Sequence, residues 1–226
     1  MGKVVPNRSA KLARTKEPAS AVEDHLKDLI TRGLLVPGQR VTESELMADT
    51  GASRGTVREA FQRLAVERIM TIEPFRGASV KRFSQAEMLQ LYDAREVLEG
   101  LGARLAAMQG SAKLKNNLIR LMAKMESSVA AGDWLAFTQI NNQWHKAIAD
   151  GCQNTYVSEM VSRLNVPVNR HLMQSFLRVD ELAMANKDHR KITQAVVDGA
   201  ADAAEKLMRK HVRSGFKRIR ITPQFS

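Results

Sequence analysis

Two helix-start signals on either side of one glycine set the strongest constraint on how residues 42–65 can fold. Thr42 and Glu45 form a T-x-x-E capping box, in which the hydroxyl and the carboxylate satisfy free amides at the start of a helix. Ser53 is placed to cap a second helix. Gly51 lies between them and accepts the backbone conformation that a tight turn requires. The spacing therefore predicts two short helices joined by a tight turn.

The second of these helices divides into a buried face and a free face. Apolar side chains recur along it at helical spacing, at Val57, Ala60, Phe61, Leu64 and Ala65. Arg54, Thr56 and Arg58 fall on the faces left free, on the opening turns of the helix. A helix-turn-helix presents the second helix to the DNA major groove in this way. The pattern predicts a DNA-binding module, although two such arginines in isolation would equally be solvated helix charges.

The positive charge of the chain is concentrated at its two ends. The sequence has 35 Lys and Arg against 24 Asp and Glu, a net charge of +11. Residues 1–16 hold five bases and residues 206–220 hold seven, and neither segment contains an acid. Without those twelve bases, 23 bases face 24 acids. The N-terminal segment is either a basic arm that contacts phosphates or a solvated tail, and the C-terminal bases are equally explained as the solvent face of a last helix.

Length and cysteine content narrow the class of protein. A chain of 226 residues is long enough for about two domains. We find no apolar run near the roughly 20 residues that span a bilayer and no signal-peptide pattern. Cys152 is the single cysteine, so an intramolecular disulfide is excluded, and a redox sensor would need this thiol to be exposed and acidified. We therefore expect a cytoplasmic protein that does not enter the membrane.

From Ser84 onward the sequence predicts one helix after another. Ser84 and Glu87 form a second capping box before a long helix. Strand signals are nearly absent, and a polar link is expected near residues 179–181. The further predicted helices cover residues 111–131, 133–150, 155 to about 167, 185–197 and 202–219. The fold class is therefore mainly α, with an all-helical bundle of six or seven helices in the second half.

Three histidines stand out in the helical half. Asn141 and His145 share one helix face at an i, i+4 spacing, and His189 and His211 lie on two later helices. Three imidazoles and one oxygen ligand from three helices suit a divalent metal inside a bundle. Spacing is weak evidence, because each histidine is also explained as an ordinary core or surface residue.

The first 83 residues resemble the winged helix-turn-helix of the GntR family of bacterial repressors. The matching segments are Val36-Pro-Gly-Gln-Arg-Val41, Ser53-Arg-Gly-Thr-Val-Arg-Glu-Ala60, Gln62-Arg-Leu64 and Arg76-Gly77. The resemblance implies a two-stranded wing over residues 73–82, with Arg76 and Gly77 at its tip against the DNA backbone or minor groove. It also implies that Thr42, Ser53, Arg54, Gly55, Thr56 and Arg58 lie at the DNA. One departure is Arg68, where the family usually has glycine.

The helical half resembles the FCD effector domain of the FadR subfamily. The matching segments are Leu91-Tyr-Asp-Ala-Arg-Glu-Val-Leu-Glu99, Asn142-Gln-Trp-His-Lys-Ala-Ile148, Asp188-His-Arg-Lys-Ile192 and Ala203-Ala-Glu-Lys-Leu-Met-Arg-Lys-His211. In many members this domain holds a metal beside a cavity for a small organic acid. The resemblance places His145, His189 and His211 at the metal, which we expect to be Zn, Ni or Mn. Asn141 stands where the family usually has aspartate, so the fourth ligand brings no charge.

The expected effector site consists of the metal ligands and one arginine. An organic acid would complete the metal coordination, while Arg95 would hold its far end as a bidentate partner. Arg95 also lies at an i, i+4 spacing from Glu99, so an internal ion pair that binds nothing explains it equally well. The effector-binding residues predicted from the resemblance are thus Arg95, Asn141, His145, His189 and His211.

These observations lead to one functional hypothesis and one alternative. We expect a basic arm over residues 1–18, a winged helix-turn-helix over 19–83, and an effector-binding and dimerisation domain over 84–222. The protein is then a homodimeric transcriptional regulator, a repressor, that reads a palindromic double-stranded operator under control of a small organic acid. The alternative is a metal-dependent enzyme acting on a small acid. It is disfavoured because no H-E-x-x-H motif supplies a general base, and Lys146 follows His145.

Overall fold

A computed structural model of the chain describes residues 17–73, 77–164 and 179–220. The chain divides into two compact units, Met1–Arg82 and Phe83–Ser226. Residues 1–16 of the expected basic arm lie outside the described residues, as does Arg76 of the expected wing tip. In the described part of the chain, no helix is long and apolar enough to cross a membrane.

The first unit combines three helices with a small antiparallel sheet. Its elements are α1 (Pro18–Thr31), β1 (Arg40–Val41), α2 (Glu43–Thr50), α3 (Arg54–Val66), β2 (Met70–Glu73) and β3 (Gly77–Val80). The helices bury their apolar stripes against one another, with Leu26 and Ile30 of α1 and Phe61 and Leu64 of α3 in the core. This packing fixes α3 and leaves its opposite side at the surface.

The sheet is larger than the sequence predicted. Its strands are arranged in the order β1–β3–β2, with Val41 and Ile72 both paired with Ala78. The expected two-stranded wing began at residue 73, but β2 already begins at Met70, whose side chain is buried. β1 was not predicted, because a strand of two residues is specified by its pairing with β3 and not by its own propensity.

The spacing of Leu26, Leu29 and Ile30 predicts a helix over residues 22–33, and α1 differs from that range at both ends. The helix begins at Pro18, because proline suits the first helical turn, where its missing amide hydrogen has no partner to lose. It ends at Thr31, and Gly33 follows with a left-handed backbone, φ 70°. Pro18 was thus a better indicator of the helix start than the apolar spacing that predicted a start at residue 22.

The end of α3 explains the departure at Arg68. The amide of Arg68 donates to the carbonyl of Ala65, and the amide of Ile69 donates to the carbonyl of Leu64. These two bonds form a Schellman motif, in which the residue after the helix cap adopts a left-handed backbone. Arg68 has that backbone, with φ 57°. Glycine avoids the steric cost of this conformation, so the arginine occupies a position that favours glycine.

The second unit is a bundle in which the described residues form six helices. These are α4 (Gln85–Gln109), α5 (Ala112–Ala130), α6 (Trp134–Gly151), α7 (Thr155–Leu164), α8 (Val179–Val197) and α9 (Ala201–Arg220). The predicted capping box of Ser84 and Glu87 is confirmed, and the side chains of Ser111 and Asp133 cap α5 and α6. α4 packs on α6, α7, α8 and α9, so it forms the centre of the bundle.

One predicted helix boundary of the bundle is wrong, and another lies beyond the part of the chain that the structure describes. The polar link expected near residues 179–181 is wrong, because α8 begins at Val179. The segment from there to Ala185 contains no glycine or proline, so helix-forming residues continue without a break. The expected continuation of the fourth bundle helix to Pro167 lies outside the described residues, since α7 is described to Leu164.

Candidate functional sites

The helix-turn-helix is built by the caps that the sequence predicted. The Thr42 hydroxyl accepts from the Glu45 amide at 3.2 Å, and the Glu45 carboxylate accepts from the Thr42 amide at 3.0 Å. The Ser53 hydroxyl accepts from the Thr56 amide at 3.2 Å and starts α3. Gly51 makes the turn with a left-handed backbone, φ 71°. Both capping predictions are confirmed, and they fix where α3 begins.

The opening turns of α3 present a basic surface to solvent. Arg54 and Arg58 are exposed, and both contact one carboxylate, that of Glu43 at the start of α2. A Cβ added to Gly55 would find only the Ser53 hydroxyl within 4 Å, at 3.8 Å, so its backbone is open to a close approach. This surface can donate charged hydrogen bonds to phosphates or to guanine edges.

Gly77 fixes the start of β3. It has a left-handed backbone, φ 87°, and a Cβ added there would lie 2.7 Å from the carbonyl oxygen of Val41. That distance is too short for any side chain, so glycine is needed where β3 meets β1. Gly77 therefore has a structural role in the sheet that precedes any contact with DNA.

The three histidines come together inside the bundle. His145 on α6, His189 on α8 and His211 on α9 are each at most 8% exposed, and their potential ligand atoms lie within 4.8 Å of one another. A tetrahedral ion bound at about 2.0–2.1 Å holds its nitrogen ligands roughly 3.3 Å apart. Small rotations of the histidine side chains would bring their nitrogen atoms from within 4.8 Å of one another to that shorter separation. Three neutral imidazoles therefore fit a divalent ion and leave a fourth position for another ligand.

Trp144 forms one wall of this histidine cluster. Its ring centroid lies 4.7 Å from that of His189 and 4.9 Å from that of His145. The indole nitrogen donates to the Thr193 hydroxyl at 2.9 Å, so this buried polar group is satisfied. The indole also fixes α6 against α8. The tryptophan excludes water from one side of the cluster, which strengthens electrostatic interactions there.

A buried carboxylate orients His145. One oxygen of Glu99 lies 2.7 Å from His145 Nδ1, and the other accepts from Arg95 Nε at 2.8 Å. The carboxylate holds the proton on Nδ1, which leaves Nε2 with the lone pair that a metal requires. The ion pair of Arg95 with Glu99 is thus present. The guanidinium also lies over the Tyr92 ring, 4.6 Å from its centroid.

The charge of Arg95 is secured by these neighbours. Burial alone would lower the pKa of Arg95, but the Glu99 carboxylate and Tyr92 together raise that pKa above its ordinary value. Glu99 takes the donors on one edge of the guanidinium, Nε and Nη2. Tyr92 is a further hydrogen-bond partner of this guanidinium. Because a guanidinium has five N–H donors, these two neighbours do not use all of them.

Two buried asparagines accompany the histidines. Asn141 is buried on the same face of α6 as His145, one turn earlier. Asn186 is buried on α8, one turn before His189, and its Oδ1 has no hydrogen-bond partner among the described residues. A buried acceptor without a donor is unfavourable by about 1–3 kcal/mol. Asn186 was not considered from the sequence, although its i, i+3 spacing from His189 was visible there.

The space beside His145 is small. A cavity lined by Glu99, His145, Val161 and Met208, among others, has a volume of about 10 Å³. That volume holds about one water molecule. A small organic acid can bind at this point only if side chains of α7 or α9 move aside.

The remaining chemical alternatives find little support in these contacts. Glu205, the carboxylate nearest to His211 in sequence, accepts from Arg209 at 2.8 Å and from Arg104 at 3.3 Å. Glu99 touches His145, but Arg95 neutralises it and both its oxygens are occupied. The Cys152 thiol is fully buried, and burial raises its pKa, so it is not the exposed, acidified thiol of a redox sensor.

Comparison with known proteins identifies both units. Residues 18–80 match the model for bacterial regulatory proteins of the gntR family, and residues 90–214 match the FCD domain. The HTH-type transcriptional repressor GlaR of Escherichia coli K12 is 29% identical over 195 residues, which cover 83% of this chain and 89% of GlaR. The repressor RspR of the same organism is 25% identical over 191 residues and covers 84% of each chain.

The solved structure of E. coli McbR/YncC shares the fold. It superposes with a TM-score of 0.78 at 20% identity, and the match covers 88% of this chain and 95% of that one. At this identity the likeness concerns the fold alone. The two domain matches show that the chain belongs to the GntR family, in the FadR-like branch that carries an FCD domain, and is a DNA-binding transcriptional regulator and not an enzyme.

Proposed function

We propose that this protein is a homodimeric, cytoplasmic repressor whose affinity for a palindromic operator is controlled by a small organic acid bound at a metal in the FCD domain. The observation that carries the proposal is the buried cluster of His145, His189 and His211. The names of the relatives GlaR and RspR support repression as the mode of regulation.

The residues of the proposed metal site divide the work between them. His145, His189 and His211 would hold the ion, and the amide oxygen of Asn141 would be a fourth ligand. A bound ion would supply positive charge and a coordination position for a carboxylate. Three imidazoles favour Zn or Ni over Mn, and replacing the usual aspartate by Asn141 lowers affinity because the amide is uncharged.

Arg95 is the proposed second contact for the effector. With Glu99 and Tyr92 as partners, the guanidinium keeps donors for the far carboxylate of a dicarboxylate or a hydroxy acid, which would compete with Tyr92 for a bidentate contact. Since the cavity at His145 holds about one water, effector binding would displace Val161 of α7 or Met208 of α9. A ligand that must displace side chains between the bundle helices to bind has a physical route to change the dimer that holds two DNA-binding units.

DNA recognition is proposed for the opening turns of α3 and for the wing. Arg54 and Arg58 would donate to guanine edges or phosphates, while Gly55 and Thr56 allow close approach. Arg76 and Gly77 would lie at the backbone or minor groove. Thr42 and Ser53, whose hydroxyls cap the two helices, would lie beside phosphates at the helix starts.

The dimer is supported by an apolar surface on α4. One side of this helix carries five apolar residues at helical spacing, the α4 stripe: Ala94, Val97, Leu101, Leu105 and Met108. Leu101 and Leu105 are partly buried against the core, and the other three are exposed. Val97 is 49% exposed and Met108 is 60% exposed. Exposed apolar residues that continue partly buried ones along a helix are typical of a protein–protein interface. A dimer joined there would carry two α3 helices, one for each half of a palindrome.

Native mass spectrometry of untagged protein, purified without chelator, tests the site and the assembly together. We expect a dimer with one divalent ion per chain. The His145→Ala, His189→Ala and His211→Ala variants should each lose that ion. Full metal content in all three variants would overturn the metal assignment, and a monomeric wild type would overturn the palindromic recognition.

Operator control requires a second experiment. Selection of bound duplexes from a randomised DNA library should yield an inverted repeat, and fluorescence anisotropy on that duplex then measures affinity. A panel of di- and hydroxycarboxylates, with and without Zn²⁺, should contain acids that shift the affinity for this duplex. An affinity unchanged by every acid would overturn the effector role but not DNA binding.

A further inference from the structure

Glu43 links the two DNA-facing arginines through a single carboxylate. Its Oε1 accepts from Arg58 Nε at 2.7 Å, and its Oε2 lies 3.4 Å from Arg54 Nε. The Glu43 side chain is 24% exposed, against 64% for Arg54 and 61% for Arg58. The carboxylate thus lies beneath the two guanidinium groups, which extend beyond it into solvent.

Capping of α2 does not require this carboxylate. The Thr42 hydroxyl and the Glu45 carboxylate already accept from the amides of Glu45 and Thr42, and Glu43 in the first turn adds only the modest, salt-screened attraction of a negative charge to the helix start. Ion pairs between exposed side chains contribute little to folding, because water screens them and holding long side chains costs entropy. A negative charge between two arginines also repels phosphate. For a surface that binds DNA, Glu43 is therefore unfavourable unless it has a role in recognition.

The geometry of the pair suggests that role. Glu43 contacts the Nε atom of each arginine, and both arginine side chains are more than half exposed, so their Nη donors stay accessible to DNA. Bidentate binding to O6 and N7 of guanine needs two N–H groups in one plane at a fixed orientation. A guanidinium that is already oriented loses less entropy when it forms those two bonds.

We propose that Glu43 is a specificity-determining residue, which orients the guanidinium groups of Arg54 and Arg58 for guanine edges and weakens their attraction to phosphate. The inference rests on the proposed role of these two arginines in DNA binding. Glu43 lowers non-specific affinity through its charge and raises the preference for the operator through the orientation it imposes. Both effects increase the ratio of specific to non-specific binding, which is the quantity that matters in a genome.

Glu43→Gln tests the proposal with Glu59→Gln as the matched control. Glu59 also lies in this unit and pairs with Arg63 at 2.6 Å, so its replacement removes the same charge without touching Arg54 or Arg58. The probes are the duplex selected by wild-type protein and a duplex of scrambled sequence, and anisotropy is measured over a range of KCl concentrations. We expect Glu43→Gln to bind the scrambled duplex more tightly and to lose about tenfold in the affinity ratio.

The outcomes separate this inference from the proposed function. Glu59→Gln should keep the wild-type ratio, and both variants should keep the wild-type Tm. If Glu43→Gln keeps the ratio, or if Glu59→Gln loses it equally, the role of Glu43 is wrong. Arg58→Ala gives the independent result: unchanged binding to both duplexes in that variant would overturn the DNA role of the arginine itself.

Discussion

Arg68 shows how one side chain can sit in a backbone conformation that suits another residue. Its φ of 57° closes the Schellman motif after α3. A left-handed backbone is unfavourable by roughly 1–2 kcal/mol for a residue with a Cβ, and replacing Arg68 by glycine removes that cost. Glycine also loses more conformational entropy on folding, which offsets part of the stabilisation. We expect Arg68→Gly to raise the free energy of unfolding by about 1 kcal/mol, measured by urea denaturation.

The neighbouring residue provides the control for that substitution. Glu67 has φ −74°, which every residue adopts without strain. Glu67→Gly should therefore lower the free energy of unfolding by about 1 kcal/mol, because it adds chain entropy to the unfolded state and removes the partly exposed ion pair of Glu67 with Lys27. If Arg68→Gly destabilised the protein as much as Glu67→Gly, the arginine would be held by contacts worth more than the strain.

Glu99 is the residue at which folding and metal binding are most closely joined. Glu99→Gln would leave the Arg95 charge buried without its counter-ion, and we expect a loss of about 3–5 kcal/mol in the free energy of unfolding. The same change weakens the acceptor of His145 Nδ1, so affinity for Zn²⁺ should fall about 10–100-fold. Calorimetric unfolding and competition with a chromophoric chelator measure the two effects.

Glu96 offers a matched control on the same helix. It forms an ion pair with Arg213, whose side chain is 62% exposed against 15% for Glu96, and it makes no described contact with the histidine cluster. Glu96→Gln should lower the free energy of unfolding by no more than about 1 kcal/mol, because water reaches the Arg213 end of the pair, and it should leave Zn²⁺ affinity near wild type. An equal loss of Zn²⁺ affinity in Glu96→Gln and Glu99→Gln would show that general charge, and not the orientation of His145, controls the site.

At the scale of secondary-structure elements, local signals predicted well and pairing did not. Thr42, Ser53 and Ser84 correctly predicted three helix starts. A capping side chain binds amides within the next helical turn, so its effect can be recognised from nearby sequence alone. β1 was missed because its two residues gain order only from β3. The contact of Glu99 with His145 was missed for the same reason, since it joins positions 46 residues apart on different helices.

Alanine substitutions at Gly77 and Gly55 should change the stability in opposite directions, although both glycines belong to the expected DNA surface. Gly77→Ala would bring a Cβ to 2.7 Å from the Val41 carbonyl oxygen at a left-handed φ, so β3 must shift from β1. We expect a loss of at least about 2 kcal/mol in the free energy of unfolding. In Gly55→Ala the added methyl group has open space on α3, so the free energy of unfolding should rise by about 0.5 kcal/mol.

DNA binding separates these two glycine variants further. Gly55→Ala should fold better than wild type and bind the selected duplex more weakly, because a methyl group then stands where the backbone approaches DNA. Thermal unfolding and anisotropy together measure this divergence. Undiminished affinity in Gly55→Ala would mean that DNA does not approach α3 closely at this residue.

At the scale of the whole molecule, the decisive question is whether two copies associate through the α4 stripe. Val97 belongs to the stripe and is about half exposed, so a charged residue can replace it without disturbing the core. We expect Val97→Glu to convert the dimer to a monomer, because two carboxylates would be buried against apolar surface without partners. Sedimentation velocity at several protein concentrations measures the change.

Ile119→Glu is the control for the effect of an added surface charge. Ile119 lies on α5 and is 52% exposed, close to the exposure of Val97. This variant should remain dimeric, and both variants should unfold cooperatively. A monomeric Val97→Glu protein should also lose most of its preference for an inverted repeat over a half-site, because the second α3 no longer binds at high effective concentration. If Val97→Glu stays dimeric and keeps that preference, the protomers associate through another surface, and the α4 stripe has a different partner.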